Sequence, residues 1–144
     1  MKKVSSFLLA ALMIFSLCAC NKKSAQEVAQ TSSLVGTSSP EFIEKGNGAT
    51  SFLFTVVFDN GKESYYKIKT DKTTVGEALQ ELGIVSGEEG PYGLYVTCVD
   101  GETHKYEDDG KFWAFYDGEN MASTGVDKTP IKADGSYSLK VQAG

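Results

Sequence analysis

The sequence predicts a small α+β domain, and three observations carry that prediction. A β-prone run at residues 52–58, an Asn60-Gly61 turn signal and a second β-prone run at 64–68 spell a hairpin. Residues 74–83 spell one convincing helix. Short β-prone runs bounded by Asp-Gly turns fill most of the remainder.

In the first run, Phe52-Leu53-Phe54-Thr55-Val56-Val57-Phe58, aromatic and β-branched side chains suit a pleated surface. Asn60-Gly61 supplies the positive φ of a two-residue turn. Thr74-Val75-Gly76-Glu77 then forms a capping box, whose hydroxyl and carboxylate satisfy free N–H groups at a helix start. Val75, Ala78, Leu79 and Leu82 follow at helical spacing as one apolar face, and Gly83 supplies the stop. Ile84-Val85 lead into Gly87-Glu88-Glu89-Gly90-Pro91, which reads as a loop. Residues 94–99 and 102–106 read as strands about an Asp100-Gly101 turn. Asp117-Gly118 returns the next strand to residues 119–122, and Asp134-Gly135 precedes a last strand at 137–141. A hairpin, one packed helix and further antiparallel hairpins describe a domain of β-grasp type spanning residues 51–144.

The strand at residues 111–116 holds the only tryptophan. Alternation puts Phe112, Ala114 and Tyr116 on one face and Trp113 and Phe115 on the other. Two aromatic faces need two covers. The helix at 75–82 is the expected cover for one, and the other, beside Tyr92, is left for another layer, a partner or a flat ligand, and is where binding through this strand is to be sought.

The first 19 residues read as a lipoprotein signal peptide. Lys2 and Lys3 precede an apolar run at residues 7–17 that is too short to span a bilayer. It ends in Leu17-Cys18-Ala19-Cys20, which resembles a bacterial lipobox with Cys20 as the lipidated residue. Lipid on Cys20 would hold the protein in the bilayer at the extracytoplasmic face of a bacterial cell membrane. Residues 20–50, rich in Ser, Thr, Gln and Gly, read as a flexible tether, with Phe42-Ile43 able to dock as an extra strand.

Cleavage removes two of the 14 basic residues and none of the 19 acids, so the net charge falls from −5 to −7. Every basic residue is Lys, and the absence of Arg argues against nucleic acid as a partner. With Cys18 removed and Cys20 lipidated, Cys98 stands alone, leaving neither a disulfide framework nor a Cys-rich metal site.

Little in the chain suggests catalysis. Cys98 and His104 resemble a nucleophile and base, yet a two-residue Asp100-Gly101 turn points them to opposite faces, whereas a three-residue turn would make them neighbours. Cys98 is expected to be a small buried residue and His104 a surface one. Acids concentrate at Glu88, Glu89, Glu107, Asp108, Asp109, Asp117 and Glu119, without the spacing of a calcium loop. Phosphate-binding Gly-rich motifs, HExxH and GxSxG are absent. The expectation is a non-enzyme without a cofactor or metal site.

The ordered set of Thr74-Val75-Gly76-Glu77-Ala78-Leu79, Tyr92-Gly93-Leu94-Tyr95-Val96-Thr97, Phe112-Trp113-Ala114-Phe115-Tyr116, Gly125-Val126 and Ile131-Lys132-Ala133-Asp134-Gly135 resembles the transcobalamin-like C-terminal domain family. The resemblance covers roughly residues 51–141. It implies a β-grasp-like fold and a soluble ligand, with cobalamin or another corrinoid foremost. It further implies contacts from Tyr92, Gly93, Thr97, Trp113, Phe115 and Tyr116. Tyr95 joins them because the Pro-Tyr-Gly loop beside it is expected to be exposed. In the vitamin B12 carriers of that family the domain clamps its ligand against a helical barrel, for which this sequence shows no counterpart. The alternative expectation is a cell-surface module for protein–protein interaction or adhesion, holding an envelope protein partner.

Overall fold

The computed structural model describes residues 39–144, which form a β-rich domain of two sheets with little helix. The signal peptide, Cys20 and most of the tether lie outside the described residues. The main sheet has six strands: β1 (Ile43–Gly46), β2 (Thr50–Val57), β3 (Glu63–Thr70), β7 (Lys111–Asp117), β8 (Asn120–Met121) and β9 (Ser136–Ala143), in the order β1-β3-β2-β9-β7-β8. The smaller sheet is β4 (Val85–Gly90), β5 (Gly93–Val99) and β6 (Glu102–Thr103), in sequence order. Helix α1 (Val75–Glu81), a one-turn helix α2 (Tyr106–Asp109) and a 3-10 turn (Val126–Lys128) complete the structure.

The antiparallel expectation holds for the β2–β3, β7–β9 and β7–β8 pairs, but β1–β3 and β2–β9 run parallel. The chain brings its last strand back beside β2, so β9 becomes central, with Tyr137, Ser138 and Leu139 all buried. β1 docks on β3 from Ile43, so ordered structure begins eight residues before the predicted boundary at 51. Thr74 caps α1 with both halves of the capping box formed, and Gly83 follows at φ +66°.

Two predicted turns differ in their details. Phe58 donates its N–H to the Lys62 carbonyl, leaving a three-residue loop in which Gly61 alone has positive φ. The loop predicted at residues 87–91 is largely strand β4, and the true turn is Pro91-Tyr92 between paired Gly90 and Gly93. Gly87 belongs in that strand for a steric reason. A β-carbon there would lie 2.0 Å from the Tyr95 carbonyl oxygen, at a bulge between Ser86 and Gly87. The strand predicted at 102–106 stops at Thr103, and Tyr106 opens α2 instead, which Gly110 closes in the left-handed conformation.

The core lies between the main sheet and a layer made of α1, the 3-10 turn and the smaller sheet. Phe52, Phe54 and Val56 from β2 and Val75, Ala78 and Leu79 from α1 are at most 1% exposed. Burying each large apolar side chain contributes roughly 1.5–3 kcal/mol. Trp113 and Phe115 face this core. Trp113 packs edge-on to Phe58 and Phe115 stacks on Tyr137, with β5 running alongside β7.

Candidate functional site

The β4–β5 hairpin builds the most accessible apolar feature beside the predicted residues. Its Pro91-Tyr92 tip leaves Tyr92 93% exposed, and Tyr95, three residues on, is 37% exposed. Residues 90–95 and Gly125 line an open cleft of about 390 Å³. That volume is at the low end of small-molecule pockets, roughly 300–1,000 Å³. Pro91, Leu94 and the two tyrosines make its wall largely apolar.

Asp127 supports the cleft from behind. Its Oδ1 accepts the Leu94 N–H at 3.1 Å, fixing the start of β5. Burial works against its charge, but the Leu94 N–H and the neighbouring Lys128 outweigh burial and hold the carboxyl below its ordinary range. Glu88 lies directly across from Tyr95 on β4 and pairs with Lys105 at 2.5 Å. The Tyr95 hydroxyl accepts the Tyr106 N–H at 3.2 Å, which brings a third exposed tyrosine to this face.

The residues singled out in the sequence fall into separate places. Tyr92 and Tyr95 are together at the cleft. Gly93 lines it with its backbone, at φ +110°, and is packed on Asp127. Thr97 is buried at 7%, and Trp113 and Phe115 are core residues at 6% and 8%. Tyr116 is on the opposite face of the main sheet, under Lys140 Nζ at 4.5 Å from its ring. The smaller sheet thus covers the Trp113–Phe115 face, so the outer face of β7 points away from the Tyr92 loop, contrary to the expectation. Asp127 and Tyr106 were not anticipated.

Cys98 and His104 do not meet. The Asp100-Gly101 turn has two residues, both at positive φ, so Cys98 pairs with Thr103 while the His104 N–H reaches the Thr97 carbonyl. His104 is buried at 8%, not on the surface, because its ring lies between Glu102 and Asp109 and against Trp113. Several of the clustered acids are held in ion pairs, among them Asp117 with Lys132 at 2.6 Å. Among the described residues, no three His, Cys, Asp or Glu side chains converge as metal ligands would.

Fold and cleft together define a small two-sheet β-rich domain with an aromatic-tipped hairpin. Residues 72–137 match the model of a family described as a domain of unknown function, DUF4430. The crystal structure of a proposed metal-binding protein from Ruminococcus gnavus ATCC 29149 is similar at 29% identity and a TM-score of 0.63. That match covers 67% of this chain and 99% of that one. Haptocorrin in complex with Cbi matches at 15% identity and a TM-score of 0.49, over 65% of this chain and 25% of haptocorrin. Among curated proteins, none matches this chain.

Proposed function

We propose that this protein is a lipid-anchored extracytoplasmic binding module, without enzymatic activity, that holds a soluble ligand, cobalamin or another corrinoid, against the Tyr92–Tyr95 face. The observation that carries the reading is Tyr92, 93% exposed on the rim of an apolar cleft. A large aromatic ring left in water at a two-residue turn, on the rim of an apolar cleft, offers a face that a flat ligand could cover. The corrinoid identity is supported by the motif resemblance described above. The β-grasp reading is supported by the parallel β2–β9 pair at the sheet centre, with α1 packed in the core beneath it. Lipid anchoring is supported by the Leu17-Cys18-Ala19-Cys20 box.

Titrating the protein with cobalamin and cobinamide tests this. A change in the corrinoid spectrum is expected, weakened by Tyr92→Ala and Tyr95→Ala. No spectral or calorimetric change at high micromolar ligand would overturn the corrinoid assignment. For the anchor, labelled palmitate should enter the wild type and not Cys20→Ser.

The second reading, a surface interaction or adhesion module, is favoured by edge strand β1, whose Ile43 is 50% exposed. Pull-down from envelope extracts should then return a defined partner that an Ile43→Lys variant loses.

A further inference from the structure

His104 is buried, yet both of its ring nitrogens meet carboxylates. Nδ1 lies 2.5 Å from Asp109 Oδ2 and Nε2 lies 2.9 Å from Glu102 Oε1. An ionised carboxylate only accepts, so both bonds are satisfied together only by the imidazolium. A neutral ring donates one hydrogen and turns a lone pair on the other carboxylate.

The charged groups around the ring form a closed circuit. Glu102 faces it from β6 and Asp109 from α2. From the β2–β3 loop, the Asp59 N–H donates to Glu102 Oε1 at 3.1 Å. From β7, Lys111 Nζ lies 2.6 Å from Asp59 Oδ2, and the Lys111 N–H donates to Asp109 Oδ1 at 3.0 Å. Lys105 is turned to Glu88. Glu107 and Asp108 are exposed on α2. β5 offers only the Thr97 carbonyl, and Trp113 supplies an apolar wall at 5.6 Å between ring centroids.

Helix α2 is a single turn with no buried residue and no side-chain N-cap. A helix this short has no independent stability. What ties it down is the Asp109–His104 bond, the Tyr106 N–H on the Tyr95 hydroxyl, and the Gly144 N–H on the Gly110 carbonyl. The first of these depends on a proton.

We propose that His104 is a proton-dependent latch, a positioning residue whose imidazolium holds α2, and with it Tyr106, against the Tyr95 face. Loss of the proton leaves the neutral ring one hydrogen for two carboxylates and so loosens α2 on that face. Burial by itself lowers the pKa of the ring, but the bonds to Asp109 and Glu102 outweigh it and the net direction is upward. The clamp is therefore complete below the ordinary histidine value near ~6.5 and is lost as pH rises through the raised one. That this alters ligand binding rests on the site proposed above; the latch itself does not.

Amide hydrogen exchange tests it without any ligand. The reporters are the Asp108, Asp109 and Gly110 amides, which donate to the Lys105 and Tyr106 carbonyls. Between about pH 5.5 and about pH 9, their protection, corrected for intrinsic exchange, should fall by about tenfold for each unit by which the pKa is raised. The Phe54 amide in β2 should keep its protection. Fluorescence of Trp113, quenched by the adjacent imidazolium, should rise over the same range. His104→Gln and Asp109→Asn should each abolish the pH dependence, and Asp109→Asn, at an exposed position, serves if the buried substitution does not fold. Unchanged α2 protection in the wild type, or an equal fall in Asp109→Asn, would overturn the latch. An exchange profile that changes while cobalamin and cobinamide bind at neither pH upholds the latch and removes the corrinoid reading.

Discussion

Asp127 and Gly93 are in direct contact, and the carboxylate leaves no room for a side chain on Gly93. A β-carbon on Gly93 would lie 2.6 Å from Asp127 Oδ1, and one on Gly125 would lie 2.8 Å from the same atom. One on Gly76, in the first turn of α1, would lie 2.7 Å from the Asp127 backbone. Three glycines from separate elements thus leave room for one aspartate, which joins α1, the 3-10 turn and the start of β5 behind the cleft.

Gly93→Ala should destabilise the domain by about 1–3 kcal/mol, from positive φ and the clash together. Asp127→Ala should cost about 1–3 kcal/mol by leaving the Leu94 N–H without its acceptor. Because the clash needs both partners, the double variant should be less destabilised than the sum of the two, as read by urea denaturation.

The depressed pKa of Asp127 gives an acid signature. Its contribution is present above the ordinary carboxylate value, near ~3.9, and disappears as pH falls through the folded-state value. Wild type minus Asp127→Asn stability, measured between about pH 5 and about pH 2, should shrink toward zero at the acid end.

Thr74→Ala removes one half of the capping box, whose hydroxyl accepts the Glu77 N–H at 3.3 Å. The expected loss is about 1 kcal/mol in chemical denaturation. Glu77→Gln, which retains an acceptor for the Thr74 N–H, should lose less.

Tyr66 gives a signature at the alkaline end. Burial, and then the Asp100 carboxylate accepting its hydroxyl at 2.6 Å, push its pKa up to about 12. The folded state therefore holds this proton more tightly than the unfolded chain does. Stability from this source is complete below about 10 and lost as pH rises toward 12. Tyr66→Phe should remove that part of the alkaline slope.

Trp113 and Tyr92 should separate packing from binding. Trp113 Nε1 is buried with no hydrogen-bond partner among the described residues, so Trp113→Phe forfeits no bond and should cost only about 1 kcal/mol. Trp113→Ala should cost about 3–5 kcal/mol. Tyr92→Ala should change stability by no more than about 0.5 kcal/mol, yet weaken corrinoid binding by about tenfold or more. Thermal melts beside corrinoid titrations read both effects.

Local rules were legible wherever a few adjacent residues suffice to satisfy them. The capping box at Thr74–Glu77 and the Asp100-Gly101 turn depend on neighbours within four positions, and each appears as expected, whereas Trp113, Ala114 and Phe115 are all buried despite their alternation along β7. Gly87 and the adjoining glutamates misled because glycine and charge usually mark loops. Here the glycine accommodates the Tyr95 carbonyl of a partner strand. His104 was misplaced for the same reason, since its burial depends on carboxylates from two elements and an indole from a third.

The sequence by itself thus called for strand hairpins, one capped helix, an aromatic strand and an exposed Tyr92, while of its α+β reading the described region bears out a β-rich domain of two sheets. Tertiary structure decided which aromatics remain in solvent. It made β9 central through a parallel pairing with β2, and it laid the smaller sheet over Trp113 and Phe115 while leaving Tyr92 and Tyr95 at the rim. The physical reason is that periodicity assigns a side chain to a face, whereas burial depends on what the rest of the chain brings to cover that face.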